Sequence, residues 1–295
     1  MCKMSINGNG FSERKTILVT GATGNVGRHV VSQLLDMGAP VRALVRNPGS
    51  ADLPGGVEAV RGDFAAPDTL AESLEGVESV FLVWPGLPVS LAPTVLDALK
   101  NSTGRVVYLS SMSIQKDLTQ QADPITDFHA TIERLIEGSG LDWTFLRISG
   151  LATNTLGWAQ QIRSGDIVRW PYAAAARSLI HEKDVAAVAV RALTSDTHNG
   201  ARYILTGPQV LTQTEQVQAI GEAIGRPLRY EEISPEVIRQ QMLTQLPPAM
   251  VDGMLNAWAG FVREPEPISS IVEEITSAPA HTYKEWAIDH ASDFS

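Results

Sequence analysis

The sequence predicts an α/β fold, a doubly wound parallel sheet with a smaller, mostly helical C-terminal lobe. Short apolar runs alternate with helical patterns over the first 150 residues. That alternation is typical of βαβ units whose helices cover both faces of a parallel sheet. The pattern changes after about residue 150 and is mostly helical beyond Leu205, which predicts the second lobe.

Hydrophobic periodicity places the individual elements. The strand-like runs are 16–20, 41–45, 57–61, 79–83, 105–110 and 143–147, and helical stretches lie near 25–37, 68–75, 90–101 and 127–138. In the second half, Asp184 opens a helix and 202–205 forms another strand. Thr212-Gln-Thr-Glu215 has the spacing of a capping box, and Ser234-Pro235 is a typical helix start.

Three glycines stand directly after the first predicted strand and directly before the first helix. Gly21 permits a tight turn, Gly24 lets the backbone approach a pyrophosphate, and Gly27 lets helix and strand pack closely. The N–H groups at the start of the helix would then hold the phosphates. An ordinary glycine turn is the alternative, but the strand–loop–helix context favours a dinucleotide site. The other loop residues assigned to the cofactor are Thr23, Asn25 and Val26.

The glycine loop defines the expected domain organisation. A polar, flexible leader is expected at 1–14. A dinucleotide-binding Rossmann domain follows at 15–150 and is completed by about 178–206. Residues 151–177 and 207–295 are expected to form the smaller lobe on the substrate side.

The end of the second predicted strand favours NADP(H). An NAD site usually places an Asp or Glu there to bind the ribose hydroxyls, whereas an NADP site supplies Arg. No acidic residue occurs between Gly38 and Ala51, and Arg46 stands at the strand end. Arg46 is therefore the candidate for the 2′-phosphate, with Arg28 assisting. The alternative is that Arg46 only solvates a strand end.

Ligands of open α/β sheets lie beyond the carboxyl ends of the strands, so residues at these ends are further cofactor candidates. Asp63 and Phe64 follow the third strand and could hydrogen-bond and flank an adenine. Asp63 could equally cap the helix that follows it. The candidates at the ends of the fourth and fifth strands are Val83, Trp84 and Ser110.

The totals restrict the class of function. Net charge is −10, with no basic run, which argues against a nucleic-acid partner. Cys2 is the only cysteine, so the chain has no disulfide framework, and no His or Cys spacing indicates a metal site. No apolar segment approaches the length of a signal peptide core or a membrane span. We therefore expect a cytoplasmic protein that is a monomer or a homodimer.

The glycine loop followed by Tyr108-Leu-Ser-Ser111 resembles the short-chain dehydrogenase/reductase superfamily. Most members of that superfamily use a Tyr-x-x-x-Lys pair, but none of the five tyrosines here has lysine four residues later. This departure resembles the atypical NmrA-like branch, which includes triphenylmethane reductases, type 2 quinone oxidoreductases and redox-sensing regulators. Thr144-Phe-Leu-Arg147, Asp184-Val-Ala and the tail from Tyr283 also match it, so the resemblance runs from about Lys15 to the C-terminus.

His129 and Glu133 lie in the helix where that superfamily carries its tyrosine and lysine. Being four residues apart, they share one helix face, and Glu133 would orient the imidazole or hold it protonated beside the nicotinamide. The alternative is an exposed i,i+4 pair with no catalytic role.

Bulky apolar residues are the candidates for an acceptor pocket, although each could equally be a core residue. They are Trp84, Leu87, Leu151, Trp158 and Trp170. A stripe at helical spacing, formed by Met250, Met254, Trp258 and Phe261, is expected to pack in the core, with a lid or a dimer face as alternatives.

Two functions remain open from the sequence. The resemblance implies an NADP(H)-dependent reductase that transfers hydride to a conjugated aromatic or quinone-like small-molecule acceptor. The alternative is a non-catalytic NADP(H)-binding redox sensor that acts through a protein partner.

Overall fold

The structure of the protein, a computed structural model, describes residues 16–115, 121 and 123–295. The leader expected at 1–14 lies outside the described residues. The first half contains β1 (Thr16–Thr20), α1 (Gly27–Asp36), β2 (Val41–Val45), β3 (Val57–Arg61), α2 (Leu70–Ser73), β4 (Val77–Leu82), α3 (Ala92–Lys100), β5 (Arg105–Ser111), α4 (Pro124–Ser139) and β6 (Asp142–Ile148). The second half contains α5 (Ala159–Ser164), β7 (Ile167–Trp170), β8 (Ala176–Arg177), α6 (Glu182–Thr194), β9 (Ala201–Leu205), β10 (Leu211–Thr212), α7 (Gln213–Ala223), β11 (Arg229–Glu232), α8 (Pro235–Met242), α9 (Pro248–Arg263), α10 (Ile271–Thr276) and α11 (Tyr283–Asp289).

Seven strands of the described chain form one sheet in the order β3-β2-β1-β4-β5-β6-β9. Every neighbouring pair in this sheet is parallel. The order reverses between β1 and β4, which creates the crevice where doubly wound sheets bind ligands. The predicted fold class is therefore confirmed, including the helical C-terminal region. The division of the chain into two lobes at about residue 150 stays a prediction.

Helices cover both faces of the sheet, as the alternating pattern requires. On one face, α1 and α6 pack on β1 and its neighbours around Val30 and Val188. On the other face, α2, α3 and α4 pack around Tyr108 and Phe145, which are fully buried. Because both faces are covered, the strands are continuous apolar runs rather than alternating ones.

The helix termini follow local chemistry. The Asp123 carboxylate accepts hydrogen bonds from the N–H groups of Ile125 and Thr126, so α4 begins three residues before the predicted 127–138. The capping box predicted at Thr212 and Glu215 is present. The helix predicted at 68–75 is shorter, because a 3-10 turn at Pro67–Thr69 precedes α2.

A smaller core joins α5, α7 and α11 in the second half of the chain. Trp286 is fully buried there and stacks on His290, with ring centroids 4.7 Å apart. A separate small cluster forms between α8 and α9 around Val251. Among the described residues, no helix is long and apolar enough to cross a membrane.

Buried ionisable groups attach α11 to the start of α6. His290 Nε2 lies 2.6 Å from Glu182 Oε1, and His181 Nε2 lies 3.2 Å from Asp289 Oδ2. Burial alone would raise the pKa of Glu182, but the hydrogen bonds from His181 and His290 outweigh it and lower this pKa to about 2. Lys183 also pairs with Asp289. Together these contacts hold the C-terminal helix beside α1 and α6.

Candidate functional site

A cleft of about 870 Å³ opens at the carboxyl ends of β1 and β4, where the strand order reverses. Its volume lies in the range of small-molecule sites. Residues from the glycine loop, from the ends of β2 and β3 and from the segment after β4 line it. They include Gly21, Thr23, Arg46, Asp63, Phe64, Val83 and Leu87.

The glycine loop has the close contacts that its composition predicts. Gly21 has φ +61°, a left-handed conformation that favours glycine. A Cβ on Gly27 would lie 2.1 Å from the carbonyl oxygen of Gly21, and one on Gly24 would lie 3.1 Å from the same atom. Val26 is buried in the core of the sheet. The loop therefore keeps a bare backbone at the start of α1, the arrangement that binds a phosphate group.

Thr20 connects the two strands that border the cleft. Its hydroxyl accepts a hydrogen bond from the N–H of Val83 at 2.8 Å and donates one to the carbonyl of Phe81 at 3.0 Å. Val83 in turn packs against Gly21, with Cβ 3.3 Å from the position a Cβ would take there. This clamp sets the width of the cleft at the switch point.

Arg46 lies in the outer part of the cleft and is exposed. Its side chain has no ion pair or hydrogen bond with any residue that the structure describes, so its guanidinium is available to a phosphate. Arg42, in contrast, pairs with Glu58 and donates to the carbonyls of Ser73 and Glu75. The Arg28 guanidinium donates back to the carbonyl of Gly24.

An acidic residue also lines this part of the cleft. Asp52 stands after the 3-10 turn at Pro48–Ser50, one residue beyond the segment from Gly38 to Ala51, which contains no acidic residue. Asn47 and Ser50 complete the lining.

The segment after β3 forms an aromatic wall. Phe64 packs on Trp84 with ring centroids 5.4 Å apart, and the Trp84 indole donates to the carbonyl of Leu87 at 2.9 Å. The Asp63 carboxylate accepts the N–H of Ala65 at 2.9 Å and caps no helix. Asp63, Phe64 and Leu87 therefore line the cleft, with Trp84 supporting them from behind.

Glu133 has different partners from the one we expected. Its carboxylate forms an ion pair with Arg147, with Nη2 and Oε2 2.5 Å apart, and accepts a 2.5 Å hydrogen bond from Ser110. All three residues are buried. Glu133 does not contact His129, and it is not an exposed pair partner either, because this side of α4 faces β6. The Ser110 hydroxyl donates to Glu133, so this network joins the ends of β5 and β6 to α4, and a cofactor contact by Ser110 stays a prediction.

His129 faces a different neighbour on β5. Its Nδ1 lies 2.8 Å from the hydroxyl of Tyr108. Burial raises the pKa of Tyr108 above its usual range, and the nearby charge of Glu133 raises it further, so the hydroxyl stays protonated. Burial also lowers the pKa of His129 to about 4. The imidazole is therefore neutral at pH 7, and its Nδ1 shares a hydrogen bond with the Tyr108 hydroxyl.

The apolar pocket candidates do not share one environment. Trp158 follows the core alternative, because it is only 4% exposed and packs in the C-terminal core against Tyr230. Trp170 is half-buried and meets Trp258 of α9 edge to face. Leu151 is half-buried and pairs with Ile180 just beyond β6.

Sequence reasoning missed several contacts around the site. These are the hydrogen bond of the Tyr108 hydroxyl with His129 and that of the Thr20 hydroxyl with the N–H of Val83. The amide of Asn25 donates to the hydroxyl of Thr153 at 3.3 Å, which ties the glycine loop to the segment after β6. A Thr at the end of the first strand was the one available signal, since a buried hydroxyl needs a hydrogen-bond partner.

Comparisons with known proteins agree with this site. A family model described as NAD(P)H-binding matches residues 21–196. A (4-alkanoyl-5-oxo-2,5-dihydrofuran-3-yl)methyl phosphate reductase from Streptomyces griseus is 37% identical over 284 residues, covering 95% of this chain and 99% of that protein. An NAD(P)H azoreductase from Xenophilus azovorans is 33% identical over 287 residues, covering 94% and 99%. The structure of a Citrobacter sp. triphenylmethane reductase complexed with NADP(H) is similar with a TM-score of 0.77 at 21% identity, covering 93% and 99%.

The fold and the glycine loop, with Gly21, Gly24 and Gly27, define a dinucleotide-binding protein of the Rossmann type. The chain belongs to the NAD(P)H-binding family, and its resemblance to the NmrA-like branch is confirmed. Together with the two reductases that match it over nearly their full length, this makes the protein an NAD(P)H-dependent oxidoreductase.

Gly27→Ala tests the close contact between Gly27 and the Gly21 carbonyl, on which the shape of the glycine loop depends. The added methyl group would overlap the Gly21 carbonyl, so we expect a loss of about 3 kcal/mol in unfolding free energy and weaker NADPH binding. Urea denaturation and a fluorescence titration measure the two effects. Gly55→Ala is the matched control, because nothing lies within 4 Å of its added Cβ. Equal behaviour of the two variants would contradict the assigned role.

His129→Gln tests the neutral, buried imidazole. A histidine with a pKa near 4 in the folded state and near 6.5 when unfolded binds its proton more readily in the unfolded chain. Its contribution to stability is therefore full above pH 6.5 and is lost as the pH falls toward 4. We expect the wild type to lose about 2 kcal/mol more than the variant between pH 7 and pH 5 in urea denaturation. If the unfolding free energies of the wild type and the variant fell equally between pH 7 and pH 5, His129 would titrate as an exposed histidine and the prediction would be wrong.

Proposed function

We propose that the protein reduces a conjugated aromatic or quinone-like small molecule with NADPH, without a Tyr-x-x-x-Lys pair. The observation that carries the proposal is the cleft at the switch point, which has the glycine cradle on one side and the unpaired Arg46 on the other. This pairing of a pyrophosphate site with a 2′-phosphate partner favours NADPH over NADH.

The residues present fit this cofactor. Gly21 and Gly24 carry no side chain that would stand between the loop backbone and a pyrophosphate, and Gly27 lets α1 pack closely on the loop. The Thr20 clamp holds Val83 against the glycine loop, and Phe64 offers an apolar ring to an adenine. Arg46 would hold the 2′-phosphate by charge-assisted hydrogen bonds.

The two relatives support the class of acceptor. The Streptomyces griseus protein is named for a dihydrofuranone whose ring double bond is conjugated to two carbonyl groups, and the Xenophilus azovorans protein is named as an azoreductase. Both names describe an electron-poor double bond within a conjugated system. Such a bond accepts hydride readily because the developing charge is delocalised.

The chemistry requires little from the protein beyond positioning. Bound NADPH would supply a hydride to the electrophilic end of the conjugated bond, while water supplies the proton at the other end and NADP⁺ and the reduced product leave. His129 is neutral at pH 7, so it does not act as a strong acid. Proton delivery from water agrees with that protonation state.

Turnover across a panel of acceptors tests the proposal. NADPH oxidation is measured with azo compounds, triarylmethane dyes, quinones, unsaturated lactones and simple aldehydes. We expect reduction of conjugated members and none of the unconjugated aldehydes, because only the former delocalise the added charge. Tight NADPH binding with no turnover on any member would overturn the proposed activity.

Arg46→Asp tests the cofactor preference. Loss of the charge-assisted bonds and gain of a repulsive carboxylate should weaken NADPH binding about 100-fold, with a much smaller effect on NADH. Titration of both nucleotides by protein fluorescence measures the difference. Arg191→Asp is the matched control, because it makes the same charge change at an exposed position of α6 that does not line the cleft, and we expect it to leave NADPH binding unchanged. Equal losses of NADPH and NADH in Arg46→Asp would remove the 2′-phosphate role.

A further inference from the structure

Helix α9 crosses the carboxyl edge of the sheet. Near its first turns, Gly253 approaches the start of α4 so closely that a Cβ there would lie 3.1 Å from the Cβ of Asp123. Near its last turn, Phe261 receives the guanidinium of Arg177 at 4.7 Å from the ring centroid. Arg177 itself packs against Gly150, two residues beyond β6. The helix therefore spans the space above the ends of β5 and β6.

Two apolar faces of α9 have different environments. Val251 and Leu255 are buried against Ile238 of α8, and they form the core contact of this helix. Met250 and Met254 are only half-buried. The stripe expected to pack in the core does so only in part. Trp258 packs against this core, whereas the fully buried positions are one residue further along the helix than Met250 and Met254.

Met250, Met254 and Phe261 form what we name the edge face of α9. At about 100° per residue they lie within about 40° of one another, and their mean direction is about 100° from that of Val251 and Leu255. The contacts of Gly253 with Asp123 and of Phe261 with Arg177 lie within about 80° of each other around the helix axis, on the side away from α8. The edge face is thus turned toward the carboxyl ends of the strands, with part of its apolar surface uncovered.

We propose that the edge face of α9 is the wall of the acceptor site, opposite the nicotinamide, and that it binds the flat, uncharged conjugated part of the acceptor. This inference rests on the proposed function, which places the nicotinamide at the same edge of the sheet. It assigns the acceptor contacts to residues 250, 254 and 261 instead of to Trp158, which is buried elsewhere.

The chemistry of the edge face fits that ligand. Methionine side chains adapt to ligands of different outline and make favourable contacts with aromatic rings, and a phenylalanine ring stacks on a planar conjugated system. The guanidinium of Arg177, which lies at Phe261, does not attract a charged group of the ligand, because it is already paired with Glu266 at 2.7 Å. Such a wall selects planar, apolar groups and tolerates variation among them.

Thiol protection tests the proposal directly. The chain has a single cysteine, so Cys2→Ser gives a background without thiols. Met254→Cys places a thiol on the edge face, and Asn256→Cys places one on the opposite, exposed side of the same helix. Each protein is treated with N-ethylmaleimide with and without NADP⁺ and 4-hydroxyazobenzene, a pair that binds without hydride transfer.

We expect the azo compound at about ten times its Kd to slow modification of the Met254→Cys thiol about tenfold, with no effect on the Asn256→Cys thiol. Modification of the Met254→Cys protein should also abolish azo reduction while the Kd for NADPH stays unchanged. Equal rates with and without the azo compound, or full activity after modification, would overturn the proposal.

The two proposals fail in different ways. Absence of turnover by the wild type on every acceptor removes the proposed function. Normal turnover by the wild type with no protection of the Met254→Cys thiol leaves that function standing and removes the edge face from the acceptor site. Protection of both thiols also overturns the proposal, because it would report a general closing of the protein around NADP⁺.

Discussion

The structure depends on one close approach of backbone to backbone, between Gly27 at the start of α1 and the carbonyl of Gly21. Only glycine fits there, since a Cβ would lie 2.1 Å from that oxygen. The contact fixes the angle at which α1 leaves β1, and so the packing of α1 on the sheet. It also keeps the loop bare, so the same constraint that builds the first βα unit leaves room for a pyrophosphate.

Two polar side chains of α4 have separate sets of partners at the edge of the sheet. The pair between Glu133 and Arg147, with Ser110 bonded to it, joins α4, β5 and β6 into one rigid unit. Charged groups buried in this way must be paired, because an unpaired one would cost several kcal/mol. His129, one turn earlier on α4, is left to Tyr108 and stays neutral. Both of these α4 side chains are therefore satisfied within the protein, Glu133 as a paired carboxylate and His129 as a neutral imidazole.

The second half of the chain returns to the sheet edge from two directions. Asn25 bonds to Thr153 just after β6, and α9 reaches from Asp123 to Arg177. The pairs of His290 with the buried Glu182 and of Asp289 with the buried His181 hold the C-terminal helix against α6. These contacts make the helical part of the chain one wall of the site. Variation in that wall would change the acceptor while the cofactor cradle stays the same, which fits a family whose relatives carry different reductase names.

The sequence by itself determined the features that depend on local spacing. The alternation of strands and helices, the glycine loop, the capping box at Thr212 and Arg46 at the end of β2 can all be read from neighbouring residues, because backbone geometry and helix caps involve short segments. Tertiary structure decided which side chains meet across elements. Helical spacing placed His129 and Glu133 on one face, but packing against β5 and β6 gave each a different partner. The same spacing identified the stripe on α9, yet only the packing of α9 against α8 determined which of its residues are fully buried, since burial depends on the neighbours that the fold supplies.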